Sequence, residues 1–140
     1  ILVRDADSLY LVSSAPTAAL RADALMRCRA RFRDYMGRRG LGSLTLLPDT
    51  VDDSDFIRRR DNMLAIGATR FAILNGDRSP ESSWRVDYLI VARGFKGDII
   101  AAYGEFAPDS AIILSSSLNL RRRERYVSEL DSAHITPLIY

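Results

Sequence analysis

The sequence predicts an α/β fold in which mixed β-sheets are covered by helices. Three observations support this class. Short apolar runs that pair as hairpins dominate the first half of the chain, strands and helices alternate in the second half, and two arginine-rich segments show helical spacing. With 140 residues the chain is long enough to bury a sizeable core, so we expect one domain over residues 1–140.

The composition narrows the possible chemistry. Hydrophobic residues make up 47% and charged residues 27% of the chain, as in an ordinary soluble globular protein. The net charge is only +2, and Lys96 is the one lysine among 20 basic residues; arginine suits bidentate phosphate contacts. The single cysteine, Cys28, excludes a disulfide framework, and the single histidine, His134, excludes chemistry that needs two imidazoles. Because the chain starts at Ile1 inside a strand-like run, we expect a piece of a longer protein.

The first half predicts a hairpin, a long helix and a strand. Apolar runs at residues 1–4 and 9–12 flank turn residues and form the hairpin. Thr17 is the expected N-cap of a helix of about 20 residues, which Gly37 and Gly40 are available to end. The strand over residues 44–47 follows, and the buried stripe of the helix is expected to consist of Leu25, Cys28, Phe32 and Met36.

The second half predicts a basic turn, a hairpin and then alternating strands and helices. The turn covers residues 58–62, and the hairpin around Gly67 has arms at residues 63–66 and 70–74. The later elements, in order, are a strand over residues 88–92, a helix over 99–106, a strand over 111–114, a helix over 119–131 and a strand over 135–140. The helix over residues 119–131 is expected to be capped by Asn119 or Ser117 and to bury Leu120, Val127 and Leu130.

The two halves of the chain have a similar order of predicted elements. The hairpin of residues 1–12 and the strand of residues 44–47 parallel the hairpin of residues 63–74 and the strand of residues 88–91. In both halves the strand ends in a polar loop. Two such halves packed face to face would make an αββα sandwich of mixed sheets.

The strand over residues 88–92 ends in a small basic loop over residues 93–97. Sites in α/β sheets are built at the carboxyl ends of strands. Charge and exposed backbone N–H groups make the loop a candidate site for a phosphate of DNA or a nucleotide, formed by Arg93, Gly94, Lys96 and Gly97. The alternative is a tight connection that Phe95 anchors to the core. The sequence leaves both readings open.

Two other clusters have a functional and a structural reading. The first cluster consists of the carboxylates Asp49, Asp52, Asp53, Asp55 and Asp77. Carboxylates are oxygen ligands for Mg²⁺ or Mn²⁺, and such a cluster would suit a two-metal nuclease. We favour a solvated acidic loop, because most of these residues lie in one flexible-looking segment. The arginines of both helices and of residues 58–60 suggest a basic face for DNA, but acidic residues interrupt it and ordinary solvated helix faces are favoured.

Residues 87–140 resemble the end of the metallo-β-lactamase-like domain of ComEC-family DNA-internalisation competence proteins. In that family an aspartate and an apolar strand lead into a histidine–histidine–glycine–serine loop, then a short helix, a strand, a longer helix and a closing strand. Residues 87–97 follow this plan and closely resemble the arginine-glycine-phenylalanine-lysine-glycine variant of Bacteroidetes members. Residues 71–77 resemble the family strand that ends in a metal-bridging aspartate, and residues 35–53 stand where the family has its histidine-rich metal loop.

The resemblance implies a compact metallo-β-lactamase-like αββα sandwich, and the departures from it imply that metal chemistry is lost. Arg93 and Gly94 stand in place of the loop histidines, and residues 48–53 contain no histidine. A zinc hydrolase needs several imidazole or carboxylate ligands around an open position. We therefore expect a non-catalytic domain without metal or other cofactor, with Asp52, Asp53 and Asp77 as fallback metal ligands.

The resemblance also implies the setting of the domain. It would be a soluble part of a bacterial inner-membrane protein, with DNA and the transmembrane channel region of the same protein as partners during natural transformation. Two alternatives stay open. One is a nuclease that uses a carboxylate-bound divalent metal to degrade the non-transported DNA strand. The other is a structural domain that packs on its own membrane region.

Overall fold

The computed structural model describes residues 1–5, 8–13, 17–51, 56–76 and 85–140. Contacts divide the chain into two compact units, unit 1 at Ile1–Val51 and unit 2 at Asp52–Tyr140. Each unit combines helix with strands that pair both parallel and antiparallel. The predicted α/β class with mixed sheets is therefore confirmed. The face-to-face αββα packing and the single domain over residues 1–140 stay predictions.

Unit 1 contains a three-stranded sheet and one long helix. Strands β1 (Leu2–Asp5) and β2 (Ser8–Leu11) form the predicted antiparallel hairpin, and β3 (Ser43–Leu46) lies parallel to β2. In chain order, helix α1 (Ala18–Arg38) connects β2 to β3, and the two-residue strand β4 (Thr50–Val51) follows β3. The helix begins as predicted, because the Thr17 hydroxyl accepts a hydrogen bond from the Leu20 N–H.

The apolar stripe of α1 packs less deeply than predicted. Leu25, Cys28 and Met36 contact the small core of unit 1, but each stays half-buried. Phe32 instead meets Tyr35 edge to face, with ring centroids 6.4 Å apart. A three-stranded sheet offers the helix only a narrow apolar surface, which explains why α1 buries no residue completely.

Unit 2 carries one sheet and two helices. Its elements are β5 (Ile57–Arg60), β6 (Met63–Ile66), β7 (Thr69–Leu74), β8 (Tyr88–Val91), α2 (Ile99–Phe106), β9 (Ala111–Leu114), α3 (Leu120–Ser132) and β10 (Leu138–Ile139). The strands follow the order β10-β9-β8-β7-β6-β5 across the sheet. Strand β6 is antiparallel to both its neighbours, whereas β7, β8, β9 and β10 pair in parallel. The elements predicted beyond residue 62 are confirmed, although the last strand is shorter than expected.

Helices α2 and α3 cover one face of this sheet. Parallel strands require crossover connections, and the helices supply them between β8, β9 and β10. Alternate residues of each strand point to the same face. The core beneath the helices accordingly joins Leu89, Val91, Ile112 and Leu114 of the strands to Ile99, Phe106, Tyr126 and Leu130 of the helices.

The predicted basic turn over residues 58–62 is wrong. Residues Ile57–Arg60 form strand β5, which pairs antiparallel with β6, and the turn is limited to Asp61 and Asn62. Ile57 and Arg59 point inward and are buried, while Arg58 and Arg60 are exposed. The strand alternation is present, but an arginine occupies an inward position that apolar periodicity does not reveal.

The predicted burial of α3 is partly wrong. Leu130 is fully buried and Val127 packs on the core, but Leu120 keeps 60% of its surface exposed. Leu120 lies instead on the wall of an open groove with Val127 and Ile139. Tyr126, which the prediction left out, is fully buried instead.

Candidate functional site

The carboxyl ends of several strands of unit 2 meet at one edge of the sheet. Strand β6 is antiparallel to β5 and β7, and the remaining strands pair in parallel, so β5, β7, β8, β9 and β10 run in one direction. The segments that follow these strands include Asn62, Asn75, residues 93–97 and residues 115–117. Binding sites of α/β sheets form at such an edge. We call residues 93–97 the β8 loop.

The β8 loop lies against the backbone that follows β7. Gly94 has a φ of 104°, and a Cβ atom at this position would lie 2.9 Å from the backbone nitrogen of Gly76. No side chain fits there without moving main-chain atoms. Gly94 thus allows two backbone segments to approach closely, and the neighbouring segment is the end of strand β7.

Phe95 fixes the loop to the core, as one of the two readings of this segment predicted. Its side chain is buried with the residues under α2 and α3, and its ring centroid lies 5.8 Å from that of Tyr126. Gly97 completes the contact, because a Cβ atom there would lie 2.9 Å from the Phe95 ring. The loop therefore folds back over its own phenylalanine.

Helix α3 and the segment before it hold the loop backbone. The Nη1 atom of Arg122 donates to the Phe95 carbonyl at 3.1 Å. The Tyr126 hydroxyl lies 3.3 Å from the carbonyls of both Phe95 and Gly97. At the start of the loop, the Arg93 N–H donates to the Ser117 Oγ at 3.0 Å. These contacts fix the main chain and leave the side chains of Arg93 and Lys96 exposed.

The electrostatics of the loop are mainly positive. Arg93, Lys96 and Arg122 bring three cationic groups to it. Among the described residues, Asp98 is an anionic side chain next to the loop, and its Oδ1 accepts the N–H groups of Ile100 and Ala101 as the N-cap of α2. Among the residues that the structure describes, none accepts a hydrogen bond from the backbone N–H of Gly94, Lys96 or Gly97. Charge and main-chain donors are thus available to an anion.

Burial raises the pKa of the Tyr126 hydroxyl above its ordinary value of about 10, although the nearby Arg125 and Arg122 partly oppose the shift. The folded state keeps this proton to a higher pH than the unfolded chain. The associated stability is therefore complete below about pH 10 and is lost as the pH rises through the folded-state pKa.

Tyr126→Phe should reduce this pH dependence. The free energy of unfolding of the wild-type chain should fall as the pH rises above about 10, and that of the variant should fall less. Urea unfolding at a series of pH values measures both slopes. Tyr140→Phe, which removes an exposed hydroxyl, is the matched control and should keep the wild-type slope. Equal slopes for wild type and Tyr126→Phe would contradict the prediction.

Most of the predicted carboxylate cluster is not tested by the structure. Asp52, Asp53, Asp55 and Asp77 lie outside the described residues. Asp49 forms an ion pair with Arg21. Among the residues with described positions, no group of three or more histidine, cysteine, aspartate or glutamate side chains is arranged to hold a metal ion.

Several arginines assigned to a basic face make structural contacts. In α1, Arg27 pairs with Asp23 at 2.6 Å, and Arg29 donates to the Leu44 carbonyl. In unit 2, Arg59 is buried and donates to the Asp61 carbonyl at 3.1 Å. Arg125 pairs with Glu129 and lies over the Tyr126 ring. These residues therefore contribute less to a DNA-binding surface than their number suggests.

Sequence reasoning missed the residues that position the loop. Arg122, Tyr126 and Ser117 lie 24–31 residues away from their partners in the chain. The sequence did contain a signal for them, because parallel neighbouring strands end at the same edge of a sheet, so the segments that follow β8 and β9 begin close together. The polar segment at residues 115–117 and the start of α3 were therefore candidates for contacts with the β8 loop.

The fold and the site define an α/β domain with a basic, glycine-bracketed loop at the carboxyl edge of its sheet. The family model for the ComEC C-terminal domain matches residues 1–138, and the chain belongs to this family. Its role is therefore in DNA uptake during competence, and ComEC-family proteins are inner-membrane proteins. No curated protein and no solved structure matched the chain.

The described part of the chain contains no helix that is both long and apolar enough to cross a membrane. The most apolar helix, α2, has only eight residues, whereas about 20 are needed. The longest helix, α1, carries charged residues throughout its length.

Proposed function

We propose that this domain is a non-catalytic, metallo-β-lactamase-like module that contacts the phosphate backbone of DNA through the β8 loop during uptake. One observation carries the proposal. Two exposed cationic side chains, Arg93 and Lys96, project from a main chain that Phe95, Ser117 and α3 hold in place. A fixed main chain lowers the entropy lost when the charged groups meet a ligand.

The chemistry of the loop favours phosphate over a base. Arginine and lysine contact phosphate oxygens by charge and hydrogen bonding, and backbone N–H groups add donors at the same place. Phe95 is buried and is not available to stack on a base. The expected contact is therefore independent of DNA sequence and sensitive to salt.

The composition supports a non-catalytic role. The single histidine, His134, follows the carboxyl end of α3, whereas that helix begins at the edge that carries the β8 loop. One imidazole at the opposite edge does not supply the ligand set of a zinc hydrolase. Single-stranded DNA incubated with the purified chain and Mn²⁺ should remain intact, and cleavage would favour the nuclease alternative.

Arg93→Ala and Lys96→Ala should each weaken DNA binding and reduce its salt dependence. Removing one phosphate contact should lower the slope of log affinity against log salt by about 0.9 on duplex DNA. Fluorescence anisotropy with a labelled oligonucleotide, measured over a range of salt concentrations, gives both the affinity and the slope.

Arg85→Ala is the matched control for these variants. Arg85 is exposed and precedes β8, so it lies at the amino edge of the sheet, away from the loop. The substitution removes the same charge and should leave the slope nearly unchanged. If Arg85→Ala weakens binding as much as Arg93→Ala, the effect belongs to net charge and the assignment of the loop is wrong.

The burial of Phe95 also supports a second candidate function. In this alternative the loop is only a tight connection, and the domain packs against the transmembrane region of its own protein. The same experiment separates the two candidates. DNA affinity that none of the three alanine substitutions changes would leave the structural role as the function of the loop.

A further inference from the structure

A second surface of unit 2 lies between α3 and the edge strand β10. It forms a groove whose apolar walls come from Leu120, Val127 and Ile139 and whose charged walls include Arg123 and Asp131. Leu120 and Ile139 keep 60% and 54% of their surfaces exposed. Exposed apolar side chains that line one groove, bordered by charges, are typical of an interaction surface.

Strand β10 lies beside this groove, and no strand of the described residues pairs with its outer edge. It is the terminal strand of the sheet, and the Tyr140 N–H donates to the Leu114 carbonyl of β9. Successive residues of a strand direct their N–H and C=O groups to opposite sides. The main-chain groups of Ile139 therefore face away from β9, where an added strand would bind.

The side chain of Ile139 lies on the helix-covered face of the sheet. Ile139 is in register with Leu114, and Leu114 belongs to the core beneath α2 and α3. The outer edge of β10 and the groove-lining residues of α3, Leu120 and Val127, thus border the same groove. A strand added to β10 would bring its own flanking helix against α3.

The charges on α3 are complementary to those of a second copy. Leu120, Arg123, Val127 and Asp131 recur at intervals of three and four residues and so share one helix face. If two α3 helices pack antiparallel with Val127 facing its own counterpart, Arg123 of each copy lies opposite Asp131 of the other. Both ion pairs form at once, as an isologous two-fold interface requires.

We propose that this groove binds a second copy of the chain, with β10 pairing antiparallel to β10 and α3 packing antiparallel to α3. The self-complementary positions of Arg123 and Asp131 favour a second copy over an unrelated partner. The proposal does not depend on the role of the β8 loop, because the loop residues take no part in the groove.

Charge-reversal variants of the 140-residue chain test the proposal. Sedimentation equilibrium of the wild type should show a reversible monomer–dimer equilibrium. Arg123→Glu and Asp131→Arg should each weaken dimerisation by about tenfold or more, because each places like charges opposite one another. An equimolar mixture of the two variants should restore dimers. In the mixed dimer the two substituted side chains carry opposite charges and face each other, and the unsubstituted Arg123 and Asp131 form the second pair.

The mixing step keeps the result separate from misfolding, because a variant that failed to fold would not regain dimerisation in the mixture. Arg121→Glu is the matched control: it reverses an exposed charge of α3 outside the groove and should dimerise like the wild type. A wild-type chain that stays monomeric at every concentration would overturn the proposal and leave the groove to a different partner. Dimerisation that Arg121→Glu weakens as much as Arg123→Glu, or that mixing does not restore, would also overturn it.

Discussion

Replacing Phe95 with alanine should lower the free energy of unfolding by about 3–5 kcal/mol. The side chain is 7% exposed, packs with the core beneath α2 and α3, and lies against the Tyr126 ring. Its removal leaves a cavity that Gly97, which has no side chain, does not fill. Urea or guanidinium denaturation measures the loss, and a lower midpoint with an unchanged m-value would identify it as a change in stability.

Phe56→Ala is the matched control, because Phe56 keeps 41% of its surface exposed. The same truncation there should cost about 1 kcal/mol or less. If Phe95→Ala were no more destabilising than Phe56→Ala, the loop would not be anchored by its phenylalanine. The fixed main chain on which the proposed DNA contact depends would then lose its main support.

Gly94→Ala should destabilise the chain by about 2–4 kcal/mol, through two separate effects. A non-glycine residue is strained at a φ of 104°. In addition, the new Cβ would lie 2.9 Å from the Gly76 nitrogen, which is a backbone atom and does not rotate away as a side chain would. Chemical denaturation again measures the change.

Gly104→Ala provides the contrast. Gly104 lies inside α2, and a Cβ there has nothing within 4 Å. Alanine is the better helix former, so this substitution should stabilise the chain by about 0.5–1 kcal/mol. If the two glycine variants changed stability in the same direction and by similar amounts, the close approach between the β8 loop and the end of β7 would not exist in solution.

Local sequence features predicted the elements well wherever the hydrophobic pattern and the cap residues agreed. The hairpin of β6 and β7 followed from two apolar runs around Gly67, and α2 was predicted with its observed bounds. Thr17 and Asn119 cap their helices as expected, because each hydrogen bond spans only three residues. Such short-range interactions depend only on residues that are close in the chain, so the sequence predicts them directly.

Strand β5 shows where local pattern was insufficient. Three consecutive arginines suggested a solvated turn, but Arg59 is buried and the segment pairs with β6. A long aliphatic stem and a charged head allow arginine to occupy an inward position when partners are available. The Asp61 carbonyl two residues away is one such partner, but the burial of Arg59 also depends on the pairing of its strand with β6, which a run of arginines does not indicate.

The sequence by itself determined the α/β class, most of the elements, the basic glycine-bracketed loop and the lack of a second imidazole. These properties depend on composition and on residues a few positions apart. Only the tertiary structure decided that Ser117, Arg122 and Tyr126 hold the loop, that Gly94 approaches Gly76, and that α3 leaves Leu120 exposed near strand β10. The reason is physical: those contacts join residues far apart in the chain, and they exist only once the crossover helices pack on the parallel sheet.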